Sequence, residues 1–273
     1  LQLLKPLYGL CESGDLWHQT LDRHHREDLK MKPFRHDPAL YMLLKDGILK
    51  GISGRYVDDL IRAGDKDFKK LSGKTRKRFE MADDKQLPCT FAGFTLYRDR
   101  KGVFVQDQHQ YLKKLEQLPL DATFSEFRSM RMSLAWLANT RPDCLLEISQ
   151  LAQVTEEHFN ASKRDVLKRL NKAVKYAIDN RVSIKIPKLD VATLKVIGFS
   201  DSSFANNTDL SSQLGHICFL GDDSGSAIPI SFKSYNAKRI TRSIMAGEFI
   251  AFSDLFDTAV ALSEELSVVL RRK

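Results

Sequence analysis

Two adjacent carboxylates, Asp58 and Asp59, interrupt an apolar run that extends from Ile48 to Ile61. Like charges repel, and each prefers water to a half-buried strand. The run is preceded by a second one, Ala39 to Leu44, and Asp46-Gly47 lies between them. That dipeptide is a strong hairpin signal, because glycine accepts the positive φ of a tight turn. The spacing therefore predicts a hairpin with the acid pair on, or at the end of, its second strand. A divalent cation makes such a pair tolerable, since Mg²⁺ binds through one or two carboxylates plus substrate phosphates. The other reading of the pair is an ordinary surface turn, where Asp is common.

Composition narrows the class. The 273 residues are 42% hydrophobic and 29% charged, which is globular rather than disordered. No stretch approaches the roughly 18 apolar residues of a membrane span, and no charged-then-apolar leader opens the chain. Leu1 in place of Met reads as a cut end. The net charge of +8 suits a polyanion such as nucleic acid, although 35 acids are mixed with 43 bases. Cys11, Cys89, Cys144 and Cys218 form no Cys-x-x-Cys pair, so zinc and redox motifs are absent. With no Gly-x-Gly-x-x-Gly and no P-loop, hydride transfer and P-loop hydrolysis are poor fits.

The periodicity gives an α/β (α+β) chain. A first helix carries Leu16, Trp17 and Leu21, with Ser13 or Asp15 as cap. A basic helix is expected from Lys66 to Glu80, its charge run reading as a solvated face before a phosphate-contacting one. A hairpin joins Phe91–Tyr97 to Val103–Gln106. Helices are expected from Gln110, from Ser125, after Pro142 through Val154, and across Val166–Ile178. Strands follow around Ile184, Val196, Ile217 and Ile230, then a long helix from Thr241 or Ser243. The expected division is 1–120, 121–182 and 183–273.

Further acids are candidates for chemistry. Asp201 ends the strand Val196–Ser200, where a carboxylate suits a metal but also a turn cap. Glu248 lies on the last helix beside Phe249 and Phe252, so it could point back at the sheet and meet Asp201; the other reading, favoured without further context, is a solvated Glu on the helix edge. His24 and His25 show no metal-ligand spacing, and His216, inside an apolar strand, reads as a satisfied core histidine.

The order of motifs resembles the reverse transcriptases of Ty1/copia-type LTR retrotransposons. Leu4-Lys5-Pro6-Leu7-Tyr8-Gly9-Leu10 with Leu16-Trp17 resembles the segment before that family's active-site hairpin. Tyr56-Val57-Asp58-Asp59 looks like its Tyr-Val-Asp-Asp box. Phe127-Arg128-Ser129 and Thr140-Arg141-Pro142-Asp143 resemble its helical signature, and Gly198–Ala205 is similar to the opening of its RNase H domain.

The resemblance implies a partial reverse-transcriptase palm over 1–120, a helical thumb or connection over 121–182, and the N-terminal half of an RNase H-like fold over 183–273. It implies Mg²⁺ (or Mn²⁺) held by Asp58 and Asp59, and by Asp201 and Glu248. The implied partners are an RNA template, an RNA–DNA hybrid, a DNA primer, dNTPs and the rest of a Pol polyprotein, with no membrane. The implied location is a cytoplasmic particle or the nucleus. In the family a first palm Asp lies upstream of the Leu-Tyr-Gly-Leu segment, and later RNase H acids follow the last helix. The chain alone is therefore expected to be inactive. The alternative function is a non-catalytic nucleic-acid-binding or domesticated retroelement remnant. Lys5, Arg55 and Arg62 are candidate phosphate contacts or solvated bases.

Overall fold

Asp46 and Gly47 take φ of 51° and 65°, and positive φ at both central residues is the hairpin geometry that Asp-Gly favours. The computed structural model describes residues 9–207, 209–238 and 240–270. Lys5 and most of the Leu4–Leu10 motif lie outside them. The chain divides into two units, one comprising residues up to Gln86 together with those from Ser263, the other spanning Leu87–Leu262.

In the first unit, α1 (Ser13–Arg23) continues as a π-turn over His24–Asp28. The strands β1 (Lys32–Pro33), β2 (Leu40–Lys45), β3 (Ile48–Tyr56) and β4 (Asp59–Gly64) form an antiparallel sheet in that order. The basic helix α2 (Lys66–Arg78) follows, its first turn capped by the Asp65 carboxylate, which accepts from the Phe68 N–H. Phe68 is buried with Leu29, Met31 and Tyr41. Its ring lies over Gly51 and Gly64, where an added Cβ would come within 2.2 and 2.3 Å. The sheet accepts the ring because both positions lack a side chain, and they are register partners.

In the second unit, β5 (Cys89–Phe91), β6 (Phe94–Arg98), β7 (Phe104–Asp107) and β8 (Ile184–Ile186) form another antiparallel sheet. Pairing of Phe104 with Ile186 returns the chain to these hairpins after the helices. The helices are α3 (His109–Leu112), α4 (Phe124–Ala135), α5 (Leu145–Ala152), α6 (Glu156–Ala161) and α7 (Lys163–Asp179). Phe127, Leu134, Leu151, Phe159, Leu167 and Leu170 make their core.

Two helical expectations are corrected. The helix from Gln110 is one turn, since the N–H groups of Lys114 and Leu115 bond three residues back, to Tyr111 and Leu112, rather than four; beyond it the Asn171 side chain bonds both the N–H and the carbonyl of Leu118. The helix after Pro142 ends before Val154, because Thr155 caps a new one by accepting from the His158 N–H.

A three-stranded antiparallel meander closes this unit: β9 (Lys195–Ser203), β10 (Gln213–Gly221) and β11 (Ala227–Asn236), in the order β11-β10-β9. The helix α8 (Ile244–Leu270) lays Gly247, Ala251 and Leu255 inward. Its phenylalanines are not core: Phe249, Phe252 and Phe256 are 70%, 53% and 55% exposed. No helix among the described residues is long and apolar enough to cross a membrane.

Candidate active site

The closing pair of the β3–β4 hairpin is Tyr56 and Asp59, so Val57 and Asp58 form the turn. Both carboxylates of the expected pair are exposed. Val57 has φ of 55°, which for a β-branched residue is a strained conformation worth on the order of 1–3 kcal/mol. The Trp17 Nε1–H donates to the Val57 carbonyl at 2.9 Å, and the indole stands edge-on to Phe79 at 5.1 Å. The turn is thus held by a side chain from α1, 40 residues earlier in sequence.

The sheet gives the acids a direction. Side chains alternate along a strand, so Gly51 and Ser53, which face Phe68 and His25, share a face with register partners Gly64 and Arg62. Asp59 and Ile61 project from the other face. Arg62 on the helix side is not a free phosphate contact: it donates to the Ser72 carbonyl at 2.9 Å and pairs with Asp84. Arg55 is half-buried, and among the described residues its Nε has no hydrogen-bond partner.

Behind the hairpin lies a polar network that the sequence did not announce. His24 Nδ1 meets Asp28 at 2.6 Å and its Nε2 meets the Thr75 hydroxyl at 3.2 Å. His25 bonds the Leu21 carbonyl through Nδ1 and Ser53 Oγ through Nε2, and stacks on Tyr41. The Tyr41 hydroxyl donates to Asp22 at 2.8 Å. Burial, then this bond, pushes the Tyr41 phenol well above its ordinary range. Burial also lowers the His25 imidazole. The adjacency of His24 and His25 to a helix end was the available signal.

In the second unit, Asp201 and Glu248 are not brought together. Glu248 does turn to the sheet, where its Oε1 accepts from the Ser202 hydroxyl at 3.0 Å and the Ser202 N–H at 3.3 Å. Gly198 lies against Leu255, and Ser202 against Gly247. Both residues therefore face α8, and Asp201 between them projects from the opposite face. His216 is a further correction. It is 5% exposed, and neither ring nitrogen has a hydrogen-bond partner among the described residues. Burial, followed by the Lys233 charge, lowers its pKa.

The Thr140–Asp143 motif serves the helical core. Arg141 is buried, grips Asp143 through Nε and Nη2, and donates to the Ala177 carbonyl at 3.0 Å. Burial opposes the ionised Asp143, yet the Arg141 contacts hold its carboxyl below the usual range.

Among the described residues, no three His, Cys, Asp or Glu gather as a metal-binding group. Asp58 and Asp59 match the sparse set of a single Mg²⁺, which takes one or two carboxylates plus phosphate oxygens. They fall short of a two-ion clamp. Asp201 and Glu248, facing opposite ways with Glu248 engaged by Ser202, do not fit a shared ion.

No family model matches the chain. Over 130 residues, 46% of this chain and 8% of the relative, it is 32% identical to a retrovirus-related Pol polyprotein from transposon RE2 of Arabidopsis thaliana. A second alignment over 278 positions covers 91% of this chain and 18% of the relative. It is 25% identical to a retrovirus-related Pol polyprotein from transposon RE1 of the same plant. The chain thus spans under a fifth of either relative's length. These distant likenesses support a retroelement-derived Pol segment.

Proposed function

We propose that the chain is a segment of a Ty1/copia-type reverse transcriptase with the start of an RNase H-like fold, and that its chemistry is metal-dependent nucleotidyl transfer. The β1–β4 sheet and the β5–β7 hairpins are read as part of a palm, α4–α7 as a thumb or connection, and β9–β11 with α8 as the RNase H-like part. The observation that carries this reading is the exposed Tyr56-Val57-Asp58-Asp59 turn, fixed by Trp17. The alignment with one Pol polyprotein over most of the chain supports it.

In this reading Asp58 and Asp59 hold Mg²⁺ against a dNTP triphosphate. The bound ion would supply charge neutralisation and activation of a primer 3′ hydroxyl. The chain's own residues position that chemistry: Trp17 fixes the turn carbonyl, and the closing Tyr56–Asp59 pair directs Asp59 away from the helices. The proposed partners are RNA template, DNA primer, RNA–DNA hybrid and the rest of a Pol polyprotein.

Two acids at the tip do not complete a two-ion clamp, so the chain alone is expected to give no template-dependent extension with Mg²⁺. A longer Pol segment supplying a further acid should extend a primer, and Asp58→Asn should abolish it. Extension that survives both Asp58→Asn and Asp59→Asn would overturn the reading.

A further inference from the structure

Five lysines of α2, Lys66, Lys69, Lys70, Lys74 and Lys77, are exposed. At about 3.6 residues per turn they fall on one face, opposite the buried Phe68, Ser72 and Thr75. Among the described residues none of the five has a carboxylate within ion-pair distance. Lys50, Arg62, Arg76 and Arg78 nearby each have one. Lys66 and Lys70, Lys70 and Lys74, and Lys74 and Lys77 stand at helical-neighbour spacing, where like charges weaken a helix.

Gly73 lies in the middle of this face, and a Cβ there would meet nothing within 4 Å. Glycine inside a helix is unfavourable relative to alanine, and here no protein atom requires it. A repelling lysine row and an unneeded glycine both weaken α2 as a free helix. Both make sense if something anionic approaches the helix backbone closely.

We propose that this face of α2 binds a nucleic-acid phosphate backbone. Lys66 to Lys77 covers roughly 16 Å of helix axis, the rise of about five phosphates of one strand. Gly73 opens the centre of the row to that backbone. A membrane surface suits the helix poorly, because its apolar side, Phe68 and Leu71, is packed into the fold rather than offered to lipid. The surface is separate from the acid turn: α2 packs on the sheet face that carries Gly51 and Gly64, whereas Asp59 projects from the other.

The test is fluorescence anisotropy of the full chain with a short single-stranded RNA, without nucleotide or divalent cation, over a range of salt. Binding should weaken with salt, and each of Lys66→Gln, Lys70→Gln, Lys74→Gln and Lys77→Gln should reduce the log–log slope by about 0.7. Gly73→Phe keeps every charge and should weaken binding about tenfold. Asp58→Asn and Asp59→Asn should leave binding unchanged, which separates this surface from the polymerase reading. An unchanged slope in the folded quadruple lysine variant would overturn the proposal, as would binding to anionic vesicles but not to RNA.

Discussion

Trp17 Nε1 and the Val57 carbonyl, 2.9 Å apart, tie the first helix to the one turn in the β1–β4 sheet that carries two acids. Trp17→Phe keeps an aromatic ring against Phe79 but removes the donor. It should cost about 0.5–1.5 kcal/mol, read from urea unfolding. Val57→Asn, which tolerates positive φ, should recover about 1 kcal/mol of strain. If Val57→Asn destabilises, the turn is not strained.

Gly51 and Gly64 admit the Phe68 ring between strand and helix. Gly51→Ala should therefore destabilise the first unit by about 1–3 kcal/mol through overpacking. The paired change Gly51→Ala with Phe68→Leu should recover part of that loss, as thermal melts would show.

Phe127 is fully buried and packs on Phe124 and Phe159. Phe127→Ala should cost about 3–5 kcal/mol. Arg141→Met leaves the Asp143 carboxylate and the Ala177 carbonyl without their buried partner and should cost about 1–3 kcal/mol. The double change Arg141→Met, Asp143→Leu should cost less, because no charge is stranded. Denaturant midpoints of the three variants decide this.

His25 and His216 both have imidazoles lowered from 6.5, chiefly by burial. The unfolded chain then takes up protons first as pH falls. The stabilisation is complete above about pH 6.5 and is lost as pH drops from there towards the folded-state values. His216→Phe should shrink this dependence, and it removes two buried nitrogens that have no partner among the described residues. Urea midpoints taken near neutrality and about one pH unit below 6.5 would show the difference. An equal loss in wild type and His216→Phe would exclude His216 as a contributor.

The hairpin at Asp46-Gly47, the basic helix and the last three strands were legible because turn chemistry and apolar periodicity are local signals. Asn171 holding Leu118 was not legible, since that contact spans 53 residues. The inward face of α8 is not legible for a related reason. Its phenylalanines dominate the pattern, yet close approach to β9 selects Gly247 and Ala251 instead. The acid pair could be placed at a hairpin end from sequence, but not its tether, because nothing local links Trp17 to Val57. The parity that separates Asp201 from Glu248 could have been counted: Ser202, not Asp201, shares a strand face with Gly198.

Strand β9 ends its sheet, and among the described residues no strand flanks it beyond β10. Alternate residues of this nine-residue strand therefore turn their N–H and C=O groups to one rim, where Glu248 accepts from the Ser202 N–H, beside Phe199 at 63% exposure. Such a rim templates the addition of any extended chain that reaches it. On concentration, preparations of this polypeptide should lose solubility by strand-to-strand joining well before they lose helix content. A lysine at Phe199 is the simplest guard against it.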